Sequence, residues 1–293
     1  MSRLSVLLAA LASALVLAGT GTAAVAVAED SGPLGAHDPY PAGAHEPYPT
    51  GAHDPYPTGA HDPYPTGAHD PYPAGAHEPY EAQGPHGAGF VVSEAQFDRM
   101  FPDRDPFFTY AGLLEATRSY PAFAHTGNLL VRRQEAAAFL ANVSHETGAL
   151  VYKVNQNPAS YPVFCDDTQP YGCPAGHDAY YGRGAIMLSW NFNYKAAGDA
   201  LGLDLLNDPW LVERDPAVAW ATALWYWNTQ TGPGTMTGHD AIVHHKGFGE
   251  AIRSLNGTAE CDGGNAEQMR HRVSLYRQFT RLLGTLPGRH QTC

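Results

Sequence analysis

The sequence predicts a mainly α-helical domain over residues 90–293. Apolar residues recur there at the i, i+3, i+4 spacing of a helix, and Ser, Thr or Asp precedes several of these patterns, as expected of helix N-caps. Strand signals are few and lie chiefly between residues 180 and 188, where we expect a short β-hairpin. These observations favour an α-rich domain with little β structure.

The first three predicted helices follow one another from residue 93. Ser93 and Gln96 have the spacing of a capping box, and Thr109 can cap a second helix. The third helix is predicted from about Arg133. Its apolar stripe consists of Phe139, Leu140 and Val143.

Three further helices are predicted in the second half of the domain. Asp208-Pro209 and Asp215-Pro216 each have the pattern of an N-cap followed by a first-turn proline. The apolar positions after the second pair are Trp220, Ala223, Leu224 and Trp227. A final helix ends at Gly284, and its apolar positions are Met269, Val273, Tyr276 and Leu283.

Residues 1–28 have the pattern of a secretory signal peptide. Arg3 supplies the positive start, an apolar run follows, and Ala26-Val27-Ala28 is a small-residue cleavage site. A retained membrane anchor is the alternative interpretation. We therefore expect a secreted, extracellular protein with no membrane association after the signal is removed.

Residues 29–89 contain an octad, GAH(D/E)PYPx, that runs six times from Gly35. Each repeat has about two prolines and almost no aliphatic residues, so we predict an extended, disordered spacer without a core. The segment holds nine acids and no Lys or Arg. Metal binding through the histidine beside each acid, and cell-wall contact through the repeated tyrosines, are the alternatives.

The net charge of −12 is concentrated in this spacer. Without the nine spacer acids and Arg3, residues 90–293 hold 20 acids and 16 bases, a net charge of −4. Such a domain has no basic footprint for nucleic acid.

The four cysteines, Cys165, Cys173, Cys261 and Cys293, suit an oxidising destination and permit two disulfides. Three pairings are possible from the sequence. The short spacing of Cys165 and Cys173 favours a local bridge, which leaves Cys261 for Cys293. A zinc site is the competing interpretation, but the chain has no CxxC motif and we predict no metal site in this domain.

Glu146 is the residue best suited to acid catalysis. The third helix, extended, places it at the end of the buried stripe just before Gly148. Partial burial favours the protonated carboxyl and is expected to raise its pKa from about 4.3 toward about 6, as suits a general acid. The alternative is structural: a glutamate at a helix end that bonds a nearby arginine.

The segment YYGRGAIMLSWNFNY, residues 180–194, suits a sugar ligand. Aromatic rings stack on the CH faces of sugars, while amides and hydroxyls bond their polar groups. The alternative is an aromatic core hairpin.

Four segments resemble the catalytic domain of family 19 glycoside hydrolases, the plant and bacterial endochitinases, and especially the compact bacterial branch. They are SHETG, YYGRGAIMLSWNFNY, LGLDLLNDPWLVERDPAVAWATALWYWN and SLNGTAEC. The resemblance covers nearly all of residues 90–293. It implies a lysozyme-like, bilobal, α-rich fold, and hydrolysis of β-1,4-linked N-acetylglucosamine polymers with inversion and without a cofactor.

The resemblance also implies roles for individual residues. Glu146 matches the general acid, and Ser189 matches the serine that helps to hold the attacking water. Asn193 and Asn256 match amides that contact sugar, and the neighbouring Trp190 is expected to contact it too. Glu260 and Arg272 match an ion pair that orients the acid.

Two positions depart from the family pattern. The general base lies in a VEQN-like segment, and here Asn155 takes its place in Val154-Asn155-Gln156-Asn157. An amide can orient a water but cannot accept its proton near neutral pH. Met187 stands where a sugar-contacting Gln is usual.

We therefore expect a secreted, monomeric endochitinase-like hydrolase of chitin or related glycans, with weak or altered activity. A glycan-binding protein without catalysis is the alternative, and peptidoglycan hydrolysis is a third. Asp166 or Asp167 is a candidate replacement base.

Overall fold

The computed structural model describes residues 89–293, so the predictions for the signal peptide and the octad spacer lie outside the described residues. The described chain forms nine α-helices. They are α1 Glu94–Met100, α2 Tyr110–Thr117, α3 Leu129–Glu146, α4 Asn191–Leu201, α5 Leu211–Arg214, α6 Pro216–Thr229, α7 Gly238–Val243, α8 Phe248–Glu260 and α9 Ala266–Leu282. The 3-10 helices Pro158–Phe164 and His177–Ala179 lie between α3 and α4. The prediction of a mainly helical domain is confirmed, and none of these helices has the length and hydrophobicity needed to cross a bilayer.

Most predicted helix starts are confirmed. Ser93 and Gln96 form the capping box of α1, and the Thr109 hydroxyl caps α2. Helix α3 begins four residues earlier than Arg133, because Asn128 caps it by accepting the Val131 N–H at 3.1 Å. Its first turn has no apolar stripe to reveal it, since Leu129 and Leu130 are exposed.

The two Asp-Pro pairs have different outcomes. Asp215 accepts the N–H groups of Ala217 and Val218 and opens α6, with Pro216 in the first turn, as predicted. The helix predicted at Asp208-Pro209 is wrong: α5 begins only at Leu211 and has four residues. The Asp208 carboxylate pairs with Arg214 instead of capping.

The predicted hairpin is reduced to isolated antiparallel bridges. Arg183 and Leu188 exchange both backbone hydrogen bonds, at 3.1 and 2.9 Å, and Arg183 also bridges to Val154. Gly184 makes the turn with a φ of 73°, where a Cβ would come within 2.8 Å of Val212. The bridges lay residues 153–155 beside residues 182–184.

Helix α3 is the centre of the domain. Every residue from Gln134 to Glu146 is buried, and the helix packs against α7, α8 and α9. Phe139 anchors the aromatic core, with ring centroids 5.0 Å from Phe123 and 5.6 Å from Trp227. Because α3 also carries polar side chains into this interior, each of them needs a partner there.

Both predicted disulfides are present. Cys165 pairs with Cys173 between the two 3-10 helices, and Cys261 pairs with Cys293. The second bridge attaches the C-terminal segment, residues 285–293, to the end of α8.

Candidate active site

A cavity opens at the C-terminal end of α3 and brings together six residues predicted for the site. They are Glu146, Met187, Ser189, Trp190, Asn193 and Asn256. The remaining walls are Ile186, Leu188, Tyr226, Pro233 and Leu255. Within residues 89–293, Glu146 is the only carboxylic acid that lines this cavity.

Glu146 is the last residue of α3 and is only 8% exposed. Its Oε1 accepts a hydrogen bond from Nη2 of Arg272, which is fully buried on α9. The same guanidinium donates to Glu260 through Nε and Nη2, both at 2.8 Å, and to Asn142 Oδ1 at 3.1 Å. Arg272 therefore holds two carboxylates from α3 and α8 in a fixed arrangement.

The charges of this cluster compensate one another. Burial alone would lower the pKa of Arg272, but Glu146 and Glu260 raise it above its ordinary value. For Glu146, burial disfavours the carboxylate, whereas the neighbouring guanidinium favours it. The arrangement combines features of both sequence interpretations, because the helix-end glutamate bonds an arginine and also faces the cavity.

The opposite wall is held by Arg183, which is completely buried. Its Nε donates to Glu213 at 2.8 Å, and its Nη1 donates to Ala179 O at 2.6 Å and to the Tyr194 hydroxyl at 2.8 Å. The guanidinium also lies 3.5 Å from the centre of the Tyr181 ring. These contacts fix the turn from which the cavity residues 186–190 project.

Polar groups on this wall form a local chain. The Ser189 hydroxyl donates to Met187 O at 2.9 Å, and Asn193 Nδ2 donates to Ser189 O at 3.0 Å. Met187 and Trp190 both have positive φ, 52° and 76°. Strained backbone of this kind is found preferentially at functional sites.

Asn256 lies at a kink in α8, where its own φ and ψ are not helical. Its Nδ2 donates to Glu260 Oε1 at 2.7 Å, while its buried Oδ1 has no hydrogen-bond donor among the described residues. The kink thus places Asn256 on the cavity wall, with its amide nitrogen held by Glu260.

Asn155 is placed differently from the other predicted residues. It is 5% exposed and is not among the residues that line the cavity. Its Oδ1 accepts the Asn157 N–H at 2.7 Å, and its Nδ2 donates to Ser160 Oγ at 3.3 Å. Both ends of the amide therefore stabilise the loop after α3.

Neither candidate replacement base lines the cavity. Burial alone would raise the pKa of Asp166, but hydrogen bonds from Gln169 and Thr168 outweigh it and lower that pKa. Asp167 is exposed and lies 3.4 Å from His177 Nε2. With its oxygens engaged and its proton affinity reduced, Asp166 is poorly suited to accept a proton.

Tyr226, Pro233 and Leu255 are the cavity residues that sequence reasoning missed outside the 180–194 segment. They come from α6, the loop after it and α8, and no local motif marks them. Only the packing of distant segments brings them to Glu146.

One group of possible metal ligands occurs in the described part of the chain. The sulfur of Cys165 and ligand atoms of Asp167 and His177 lie within 4.8 Å of one another. Cys165 is bound in a disulfide, so its sulfur is not a thiolate and the group lacks the donor that soft metals require.

Comparison with known proteins assigns the chain to a family. The family model "Chitinase class I" of glycoside hydrolase family 19 matches residues 91–293. Chitinase 6 of Oryza sativa subsp. japonica is 42% identical over 188 residues, which are 64% of this chain and 66% of that protein. Endochitinase B of Zea mays is 43% identical over 64% of this chain and 63% of its own length. The chain thus spans just under two thirds of these curated relatives.

Solved structures agree in fold. Chitinase C from Streptomyces griseus HUT6037 is 64% identical, with a TM-score of 0.69 over 70% of this chain and 81% of that chain. A bacterial family 19 chitinase is 67% identical, also with a TM-score of 0.69, and is covered over its whole length. These matches show the α-rich, lysozyme-like fold of that family, and the protein belongs to the family 19 glycoside hydrolases of the chitinase class I type.

Proposed function

We propose that this protein is a secreted, monomeric endo-acting hydrolase of chitin or related β-1,4-linked N-acetylglucosamine polymers, with weak or altered activity. The carrying observation is the cavity that combines Glu146 with five other residues predicted for a sugar site. The names of the relatives, chitinases and endochitinases, support the substrate class.

Glu146 is the proton donor in this proposal. Its carboxyl lines the cavity, where a glycosidic oxygen can approach it, while Arg272 holds Oε1. A sugar chain that fills the cavity removes water from the carboxyl, and this favours its protonated form. Asn256, which lines the same cavity, is the sugar-contacting amide in this proposal.

The attack by water is the step that we expect to be slow. Inversion uses a second carboxylate, typically about 6.5–9.5 Å from the acid, to accept the proton of the attacking water. Asn155 cannot accept it, and Ser189 can only orient the water. Loss of a positioned base costs a factor of about 100 to 10,000 in rate, so we expect slow turnover with the usual stereochemistry.

The decisive variant is Asn155→Glu, which puts a carboxylate at the position that the family resemblance assigns to the general base. We expect reducing-sugar release from chitin oligomers to rise at least about tenfold, because a general base contributes about 100-fold or more. Glu146→Gln is the matched control: it keeps the shape of the acid and removes its proton, so both the wild type and the Asn155→Glu background should lose activity. Equal rates for wild type and Asn155→Glu would contradict a base role for this position.

A glycan-binding protein without catalysis is the second candidate, favoured by the lack of another carboxylate among the described cavity residues. Its expected behaviour is retention on chitin by wild type and Glu146→Gln alike, with no soluble oligosaccharide released by wild type. Peptidoglycan hydrolysis, the third candidate, predicts release from cell walls but not from chitin.

A further inference from the structure

A second cleft lies away from the candidate active site. It encloses about 480 Å³ between the first half of α3, the α7–α8 loop and the C-terminal segment. The lining residues are Leu130, Gln134, Ile242, His245, Gly247, Phe248, Tyr276, Gly288, Arg289 and His290. None of the candidate catalytic or sugar-contacting residues belongs to it.

The cleft is held rigidly. Gln134 Nε2 donates to Leu286 O at 2.8 Å, the Tyr276 hydroxyl accepts the Gly288 N–H at 3.2 Å, and Gly249 N–H donates to His290 O at 2.9 Å. The Cys261–Cys293 disulfide attaches the end of this segment to α8. A rigid cleft loses little conformational entropy when it binds a ligand.

The polar rim is basic. Arg289 carries a permanent positive charge, and the imidazoles of His245 and His290 can donate hydrogen bonds to an anion. Lys246 is exposed next to His245. Among the described lining residues there is no Asp or Glu, although the chain as a whole carries a net charge of −12.

The rim also carries an exposed apolar side chain. Leu130 is 45% exposed, and the hydrogen bond from Gln134 to Leu286 O keeps the start of α3 beside the C-terminal segment. His245 and His290 both hold left-handed backbone, with φ of 57° and 52°. Strained backbone of this kind is found preferentially at functional sites.

From these features we infer that the cleft binds the acidic octads of the same chain, with a repeat carboxylate on Arg289 and a neighbouring Tyr or Pro ring on Leu130. The charges are complementary, because residues 29–89 hold nine acids and no Lys or Arg. An extended octad spans about 25 Å at about 3.1 Å per residue, so one or two repeats can reach across a small domain from residue 89.

Covalent attachment makes even a weak site effective. A short linker gives an effective concentration in the millimolar range, so a cleft with a dissociation constant of about 1 mM is occupied about half of the time. The six copies raise the chance of occupancy further, because any of them can bind. The proposal is independent of whether the enzyme cleaves chitin.

The lysines of the chain allow a direct test by carbodiimide cross-linking, which joins neighbouring carboxylates and amines. The chain has three lysines, Lys153, Lys195 and Lys246, and only Lys246 adjoins the cleft. In the exported chain with all octads, we expect cross-links from spacer acids to Lys246 to exceed those to Lys195 at least about tenfold. Their yield per molecule should not change on dilution.

Variants complete the test. Arg289→Glu and, separately, His245→Glu should reduce the Lys246 cross-links at least about fivefold by charge repulsion, as should high salt. Arg270→Glu, the same change at an exposed position of α9, should leave them unchanged. Unaltered thermal unfolding checks that each variant is folded.

Two results would overturn the proposal: equal cross-linking to Lys195 and Lys246, or cross-linking that Arg289→Glu does not change. Cross-linked products that disappear on dilution would overturn it in favour of a second copy of the chain as the occupant.

Discussion

Arg272 shows how a single residue creates the candidate catalytic geometry. The sequence predicted that it pairs with Glu260 beside Glu146, and the structure adds that one guanidinium contacts both carboxylates and Asn142. Lysine cannot replace this fork, because its point charge lacks the planar set of donors. The geometry of Glu146 therefore depends on an arginine 126 positions away.

Replacement of Arg272 by Met should reveal this dependence. It leaves Glu146 and Glu260 buried without their cation, and breaking a buried ion pair in this way costs about 3–5 kcal/mol. We expect the free energy of unfolding at neutral pH to fall by about that amount, and by less near pH 4, where protonation removes the uncompensated charges. Urea unfolding of wild type, Arg272→Met and the exposed control Arg270→Met measures it. A penalty that is the same at both pH values would contradict the account.

For some site residues, the sequence could not predict the hydrogen bonds or the backbone conformation that the fold imposes on them. The sequence predicted that Asn155 takes the place of the general base, but it gave no sign that both ends of this amide are bonded within its own loop. Met187 and Trp190 adopt positive φ without being glycine. Such conformations are imposed by tertiary contacts, so no sequence rule assigns them.

At the level of elements, local sequence predicted helices well where capping and burial agreed. The capping box of α1, the Thr109 cap and the Asp215-Pro216 start were all predicted and are present. Asp208-Pro209 has the same dipeptide without the same outcome. Asp215 is followed by the buried run from Val218 to Trp225, whereas α5 has only Val212 buried, so packing decides between two equal local signals.

A matched pair of variants tests this distinction. Asp215→Ala removes a cap that serves two N–H groups, and the loss of such a cap costs about 0.5–2 kcal/mol. Asp208→Ala removes only an exposed ion pair with Arg214, typically worth about 0–1 kcal/mol. We expect the midpoint of thermal unfolding to fall by about 1–8 °C for Asp215→Ala, at about 2–4 °C per kcal/mol, and by less for Asp208→Ala. A larger loss for Asp208→Ala would reverse the assignment.

For the whole molecule, the sequence predicted the class of fold and six of the residues that line the cavity, but not the distant segments that complete its walls. Glu146 and the 180–194 segment were identified from their own motifs, whereas Tyr226, Pro233 and Leu255 enter the cavity only through packing. The second cleft was equally hidden, because its walls come from α3, the α7–α8 loop and the C-terminal segment. No periodicity within one segment reports contacts of that kind.

Glu135 is the clearest example of such long-range organisation. It is completely buried on α3 and accepts hydrogen bonds from Ala124 N–H at 2.9 Å, from Trp227 Nε1 at 3.2 Å and from His239 Nδ1 at 2.6 Å. One carboxylate thus connects α3 with α6, α7 and the α2–α3 loop. No local motif indicates a role for His239, because its partner Glu135 lies 104 positions earlier in the chain.

This network should make the stability of the domain depend on pH. Burial alone would lower the pKa of His239, but Glu135 and Asp240 raise it above its ordinary value of 6.5. Because the folded pKa exceeds the unfolded one, the stabilisation is complete below about pH 6.5 and is lost as the pH rises through the folded pKa. His239→Asn retains a donor near the Nδ1 position but does not titrate. In urea unfolding between pH 6 and pH 9, we expect the difference in unfolding free energy between wild type and His239→Asn to shrink as the pH rises. A constant difference would mean that Glu135 is stabilised by hydrogen bonding alone, without a charge on His239.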